Sequence, residues 1–300
     1  MLDHFVHIVL GIKKPIYQKN IKKSLTNRNF YCIIVGYMRI ARCAMNKNLE
    51  QTEMPRFFVE SSDIVSENDG VTIFIRGDDA AHITKVLRMR VGEHLTACDT
   101  EGFEYETVVR SLGETVTLDV LSKQTSENEP PYIATVYQSL VRGERFDTVL
   151  QKSTELGAAR IVPVITSRCT VRLEKKEYAK KVTRWQRIVH EAAKQCGRAR
   201  IPTVESPIVF SEAVREAAKA DLALFCYEGE GTAPIPTLLE ECEQPCTVSV
   251  MIGPEGGYSE DEASYAKESG MKMTGLGHRI LRTETAAPFV LSCLSYKYEL

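Results

Sequence analysis

The sequence predicts an α/β protein, a parallel sheet with flanking helices, preceded by a small β-barrel module. Three observations carry that expectation. Several short strand-like runs crowd residues 54–125. From Pro131 onward, apolar strands alternate with helical periods, which is the signature of a parallel sheet. Near the C-terminus two glycine-bearing turns each follow a strand, and such turns meet at one edge of a parallel sheet.

Taken in order, Val71–Ile75, Leu95–Cys98, Tyr105–Val109 and Val116–Leu121 are short, β-branched runs with turn residues between them. So many strands in so short a stretch suit a small barrel. Asp78–Met89 reads as an amphipathic helix with Ala81, Val86, Leu87 and Ile83 inward. The polar run Lys123–Pro131 is the expected linker. Strand Ile133–Leu140 then precedes a helix over Arg145–Leu156, whose Phe146, Val149, Leu150 and Ser153 keep the 3.6 period. Strand Ile161–Ile165 leads to a long helix, Leu173–Cys196. Helix Ser211–Ala220, strand Leu222–Cys226 and a short helix at Pro236–Glu241 follow. Strand Val248–Ile252 opens onto Gly253-Pro254-Glu255-Gly256-Gly257. Ser259 with Glu262 three positions on forms a capping box, so a helix starts there and ends at Gly270. A second short strand and turn, Thr274 to Arg282, lead into a final helix from Thr285 to about Lys297. The domains expected are 54–126 and 127–300.

The first 53 residues stand apart. They hold nine Lys/Arg against three acids, while the remainder holds 29 against 37. Met54 is a natural start, so the segment reads as a tail or as the product of an upstream start codon. A basic, acid-poor targeting segment is the alternative. The nine cysteines include no C-x-x-C pair, which argues against zinc or a disulfide framework and for a reducing cytoplasm. No apolar run is long enough to span a bilayer. A net charge of −2 conceals a sharp asymmetry. Residues 160–200 carry twelve Lys/Arg and three acids, a net of +9; residues 201–270 carry three and fourteen, a net of −11. Such a split predicts one basic face suited to nucleic acid.

The strand, glycine loop and helix N-terminus at 248–262 form the geometry of a nucleotide-like cofactor site. Glycine lets the backbone approach a ligand that side chains would hold off. No G-x-G-x-x-G follows a strand and no Lys-Ser/Thr closes a phosphate loop. Dehydrogenases of the Rossmann type and P-loop NTPases are thereby disfavoured.

The run IGPEGGYSEDE followed by LGHRILRTETA closely resembles the RsmE family, the ribosomal RNA uracil-N3 methyltransferases of the SPOUT class. Tyr137–Leu140, Arg142-Gly143-Glu144-Arg145, Gln151–Gly157, Ser167-Arg168-Cys169 and Glu191–Arg198 resemble its central segment, in order. Met54–Phe58 and His82–Arg88 resemble its N-terminal module. His278 departs from the small or proline residue expected there.

The resemblance implies a trefoil-knotted SPOUT domain after a PUA-like RNA-binding barrel. It implies S-adenosylmethionine as methyl donor and a homodimer with Phe289, Leu291 and Leu294 of the last helix at or near the interface. It also implies a target in 16S ribosomal RNA of the small ribosomal subunit, uridine 1498 in family naming. The cofactor is expected against the backbone at Phe225-Cys226-Tyr227, Ile252-Gly253-Pro254-Glu255-Gly256-Gly257 and Leu276-Gly277 with Ile280-Leu281, and beside Thr285 and Ala286. Arg282 and Glu284, beside those turns, are the candidates for stabilising or deprotonating the uracil. Arg56, His82, Arg88, Arg90, Arg168, Arg172 and Arg198 are candidate RNA contacts. A methyltransferase for another RNA site, or a non-catalytic ribosome-assembly factor, remains the alternative reading.

Overall fold

The computed structural model describes residues 54–67 and 70–300. The 1–53 extension, with the readings offered for it, lies outside them.

Six strands build the N-terminal sheet: β1 Arg56–Phe58, β2 Ile64–Glu67, β3 Gly70–Ile75, β4 His94–Cys98, β5 Phe103–Ser111 and β6 Val116–Thr125. They pair in the order β1-β4-β5-β6-β3-β2, antiparallel except for β1 on β4. Two register shifts in β5 against β6 bend that ribbon, as bulges do. Phe57 of β1 and Ile73 and Ile75 of β3 consequently meet in one core with Ile83, Leu95 and Leu118.

The expected helix over 78–89 is different in form. A short α1, Gly77–Ala81, runs into a π-turn, His82–Val86. The wider turn takes up an extra residue and rotates the face, so Ala80, Ile83 and Met89 point inward. Val86 and Leu87, expected inside, are 66% and 40% exposed.

The second sheet contains β7 Ile133–Ser139, β8 Ala158–Ile165, β9 Thr203–Val204, β10 Ile208–Val209, β11 Leu222–Cys226, β12 Ala233–Pro234, β13 Thr247–Ile252 and β14 Lys272–Gly275. Its order is β10-β8-β7-β13-β11-β14-β12, with β9 on β8, and all the pairings are parallel. The helices are α2 Glu144–Glu155, α3 Lys175–Gln195, α4 Phe210–Ala217, α5 Ile235–Glu240, α6 Glu260–Glu268 and α7 Thr283–Tyr298.

Alternate residues of each central strand serve opposite faces. Val248, Val250 and Ile252 of β13 join Leu222 and Leu224 of β11 beneath α2, α3, α5 and α7. Met251, Ala223 and Phe225 face the other way, under α4 and α6. The result is three layers. Leu291 and Leu294, expected at or near a dimer interface, are fully buried in this chain's own core; Phe289 of that trio is partly open.

Between the sheets, residues 126–132 are clamped rather than free. Glu129 accepts Arg198 Nη2 at 2.6 Å and the backbone N–H groups of Ala199 and Arg200 at 3.0 and 2.9 Å. Arg200 in turn donates to the carbonyl of Glu101 at 2.9 Å, and Lys194 pairs with Asp79 at 2.9 Å. Residues 55–300 thus form one compact unit.

Candidate active site

The neighbouring strands β13, β11 and β14 end side by side, and their three following turns frame an open cleft of about 790 Å³. The carboxyl ends of parallel strands are where such sheets bind ligands. Gly257 and Gly277 have φ of +63° and +97°, a region that L side chains rarely occupy. A Cβ on Gly253 would press the Tyr258 ring at 3.3 Å. Ser259 Oγ accepts the Glu262 N–H at 3.1 Å while Glu262 accepts the Ser259 N–H at 2.9 Å. That capping box fixes where the first turn ends and α6 begins.

The second turn is tied to the first through the start of α7. Thr283 Oγ1 donates to the Gly253 carbonyl at 2.7 Å and accepts from Gln138 Nε2 at 2.9 Å. Among the described residues, no backbone hydrogen bond is made by 277–281. Unspent amide and carbonyl groups along a cleft suit the polar edge of a nucleoside. Cys226 lines the wall, and burial pushes its thiol up to about 12, so it remains neutral and acts as a small apolar surface. These features fit an adenosine-type cofactor: backbone for the polar edge, apolar side chains for the face.

Charge enters from α2. Arg145 Nη1 lies 3.0 Å from Glu255 Oε1, and its Nε lies 3.8 Å from Glu284 Oε1. Glu284 Oε2 is buried and has no hydrogen-bond partner among the described residues. Pro288, four residues on within α7, has no N–H, so the Glu284 carbonyl lacks its helical donor. A buried carboxylate oxygen without a partner, on a residue that lines the cleft, invites a donor from a ligand. Arg282 is the N-cap residue of α7 and is exposed on the cleft wall. Arg168 Nη1 donates to the Gly256 carbonyl at 3.0 Å, which sets it on the rim of the same cleft.

The structure brings most of the expected site residues together. Cys226, Tyr227, the run Ile252–Gly257, Leu276, Gly277, Ile280, Leu281, Ala286, Arg282 and Glu284 all line the cleft. Ile280 is not core, since it stands 81% exposed. Two expected residues fall outside the lining. The Phe225 side chain is fully buried on the opposite face, stacked on Tyr258 with ring centroids 4.3 Å apart, because strand neighbours alternate; the contact expected at Phe225 is one of its backbone. Thr285 is exposed on α7 and outside the lining, about 100° around the helix from Glu284.

The RNA candidates also divide. Arg198 is 3% exposed and donates to Glu129 and the carbonyls of Thr154 and Ala158, so it is spent inside the protein. Arg56 is half-buried against Glu104 at 2.9 Å and Cys98, and is likewise engaged. His82, Arg88, Arg90 and Arg172 are exposed. Sequence reasoning missed Arg145, Thr283 and Gln138 as site residues. Arg145 lies 110 positions from Glu255, and its only signal was the resemblance of the run 142–145. No cluster of metal-ligating side chains occurs among the described residues.

A family profile described as an RNA methyltransferase domain matches residues 128–295, and one described as an RNA methyltransferase PUA domain matches residues 75–120. Ribosomal RNA small subunit methyltransferase E of Bacillus subtilis (strain 168) is 32% identical over 82% of this chain and 98% of its own length. A methyltransferase from Legionella pneumophila, solved with bound SAM, superimposes with a TM-score of 0.70 at 32% identity, over 82% of this chain and 98% of that one. Ribosomal RNA small subunit methyltransferase E from Neisseria gonorrhoeae, bound to S-adenosyl methionine, gives 0.70 and 32% over 81% and 98%. On this coverage, and with both of its modules matched, the chain belongs to the ribosomal RNA small subunit methyltransferase E family.

Proposed function

We propose that this chain methylates ribosomal RNA of the small subunit with S-adenosylmethionine as donor, and that the acceptor is N3 of a uracil, the family's uridine 1498. The observation that carries the reading is the cleft itself, where two glycine turns adjoin Arg282 and the partnerless Oε2 of Glu284. The cofactor, when bound, supplies a methyl group on a sulfonium centre. The chain supplies the rest. Cys226, Leu276, Leu281 and the backbone of 252–257 hold the donor. Glu284 Oε2 accepts the N3 proton, and Arg282 stabilises the negative charge left on the uracil. Arg145 positions the Glu284 carboxylate. Placing donor and acceptor in line contributes a further large part of the rate.

Within this reading residues 54–126 are the RNA-binding module and 127–300 the catalytic one. A trefoil knot is supported by the sheet order, in which β13 inserts between β7 and β11 before the chain crosses to β14. A two-fold homodimer is supported by the exposed Ile280 at the cleft and Tyr296 on α7. A cytoplasmic location is supported by the ribosomal RNA named for its relatives. The test is methylation of deproteinised 16S RNA and of isolated small subunits, read by nucleoside mass spectrometry and primer extension. Formation of 3-methyluridine with one reverse-transcriptase stop is expected. A 5-methyl or ribose-methyl product would overturn the N3 assignment.

A further inference from the structure

The first turn of α2 is a wall shared by two depressions. Arg145 faces the cleft, whereas Glu144, Phe146 and Asp147 line a second pocket of about 360 Å³ on its other side. Val171 and Leu173 form the accessible apolar wall of that pocket, over the buried core side chains Leu140, Phe146 and Trp185. The Phe146 and Trp185 rings stand 4.6 Å apart at 45°. Arg142 and Lys181 stand at its mouth. Arg184 is taken up by Asp147, and Glu144 sits at the α2 N-terminus, where the helix dipole favours an anion. The backbone N–H of Arg142 also faces Glu255 of the cleft at 3.4 Å, so the two depressions are contiguous.

We infer that this pocket receives an unstacked nucleobase adjacent to the target uridine, with Arg142 and Lys181 on the flanking phosphates. The inference rests on the RNA-methylation reading and extends it to a second nucleotide. Ligand pockets run from about 300 to 1,000 Å³, and this one has room for a single base rather than a larger group. An apolar wall backed by buried aromatic rings, with cations at the mouth, suits an unstacked base and its phosphates. Extruding one base for chemistry unstacks its neighbour, and that neighbour needs a surface within one nucleotide of the cleft. The pocket opens beside α3, inside the segment whose net charge is +9, which matches a phosphate backbone better than an apolar side chain from a second copy of this chain.

Trp185 is the sole tryptophan of the chain, so its emission reports on this pocket. The experiment uses the full chain, a short single-stranded RNA bearing the target uridine, and matched RNAs with an abasic site at each flanking position. Intact RNA should change Trp185 emission. One flanking abasic site should abolish that change and raise KM about tenfold. Val171→Phe, which fills the pocket, should raise KM for intact RNA similarly, make it indifferent to that abasic site, and leave S-adenosylhomocysteine affinity and kcat unchanged. Lys181→Ala should raise KM and flatten its salt dependence. Equal abasic penalties in wild type and Val171→Phe would overturn the inference, as would a change in sedimentation of Val171→Phe, which would assign the pocket to a second copy of the chain. Absence of methylation by the wild type on this RNA, on 16S RNA and on isolated small subunits would instead remove the function reading beneath it.

Discussion

Nη2 of Arg198 lies 2.6 Å from Oε2 of Glu129, joining the end of α3 to the segment that connects the two sheets. The arginine is almost wholly enclosed, so its charge depends on that carboxylate. Glu129→Gln should therefore destabilise the chain by about 3–5 kcal/mol, lowering Tm by roughly 6–20 °C. The paired replacement Arg198→Met with Glu129→Leu should recover only part of the loss, because the Ala199 and Arg200 N–H groups and the Thr154 and Ala158 carbonyls lose their partners, and its RNA affinity should keep the wild-type salt dependence. A salt slope reduced by about one in the paired variant would restore Arg198 as a phosphate contact.

Arg282 and Glu284 act on the acceptor rather than the donor in the proposed reading. Arg282→Ala and Glu284→Gln should lower kcat by about 10²–10⁴-fold with S-adenosylhomocysteine affinity little changed, since interactions made mainly in the transition state show in the rate. Calorimetric titration and single-turnover kinetics separate the two quantities. Loss of cofactor affinity equal to the loss of rate would move these residues to the donor site.

Gly277 tests the second turn. Its φ of +97° leaves open space where a Cβ would stand, so the cost of a side chain there is conformational rather than a clash. Gly277→Val should abolish S-adenosylhomocysteine binding, because the turn must leave the left-handed region, while circular dichroism remains native. Retained affinity would show that the turn does not frame the cofactor.

Cys226 gives the pH prediction. Its folded thiol holds a proton up to about 12 against an ordinary 9.0. The unfolded chain therefore releases this proton first, and the contribution of Cys226 to stability is lost as pH rises from 9 toward 12. At pH 8, iodoacetamide should modify exposed Cys246 well before Cys226, as read by peptide mass spectrometry. Rapid labelling of Cys226 at that pH would contradict a half-buried, neutral thiol.

Local signals carried much of this architecture into the sequence. Strand Leu222–Cys226 and the Ser259–Glu262 capping box stand where the residues place them, because both depend on neighbours within four positions. Period two sets the Phe225 and Cys226 side chains on opposite faces, so the two can serve one ligand together only through their backbone. The π-turn at His82–Val86 was not legible: one inserted residue shifts the helical phase without leaving a compositional trace. Arg145 and Gln138 reach the site only through tertiary pairing, and charge counting cannot tell the buried Arg198 from the exposed Arg172. Position along the chain says little about enclosure.

Glu262 does more than start a helix. Its Oε2 closes the capping box at Ser259, while its Oε1 accepts the backbone N–H of Ser167 at 2.8 Å, one residue before the Arg168 that grips the Gly256 carbonyl. In the proposed reading the loop offered to RNA and the turn offered to the cofactor hang from one carboxylate. Should the cofactor change the affinity for RNA through it, RNA must change the affinity for the cofactor by the same factor.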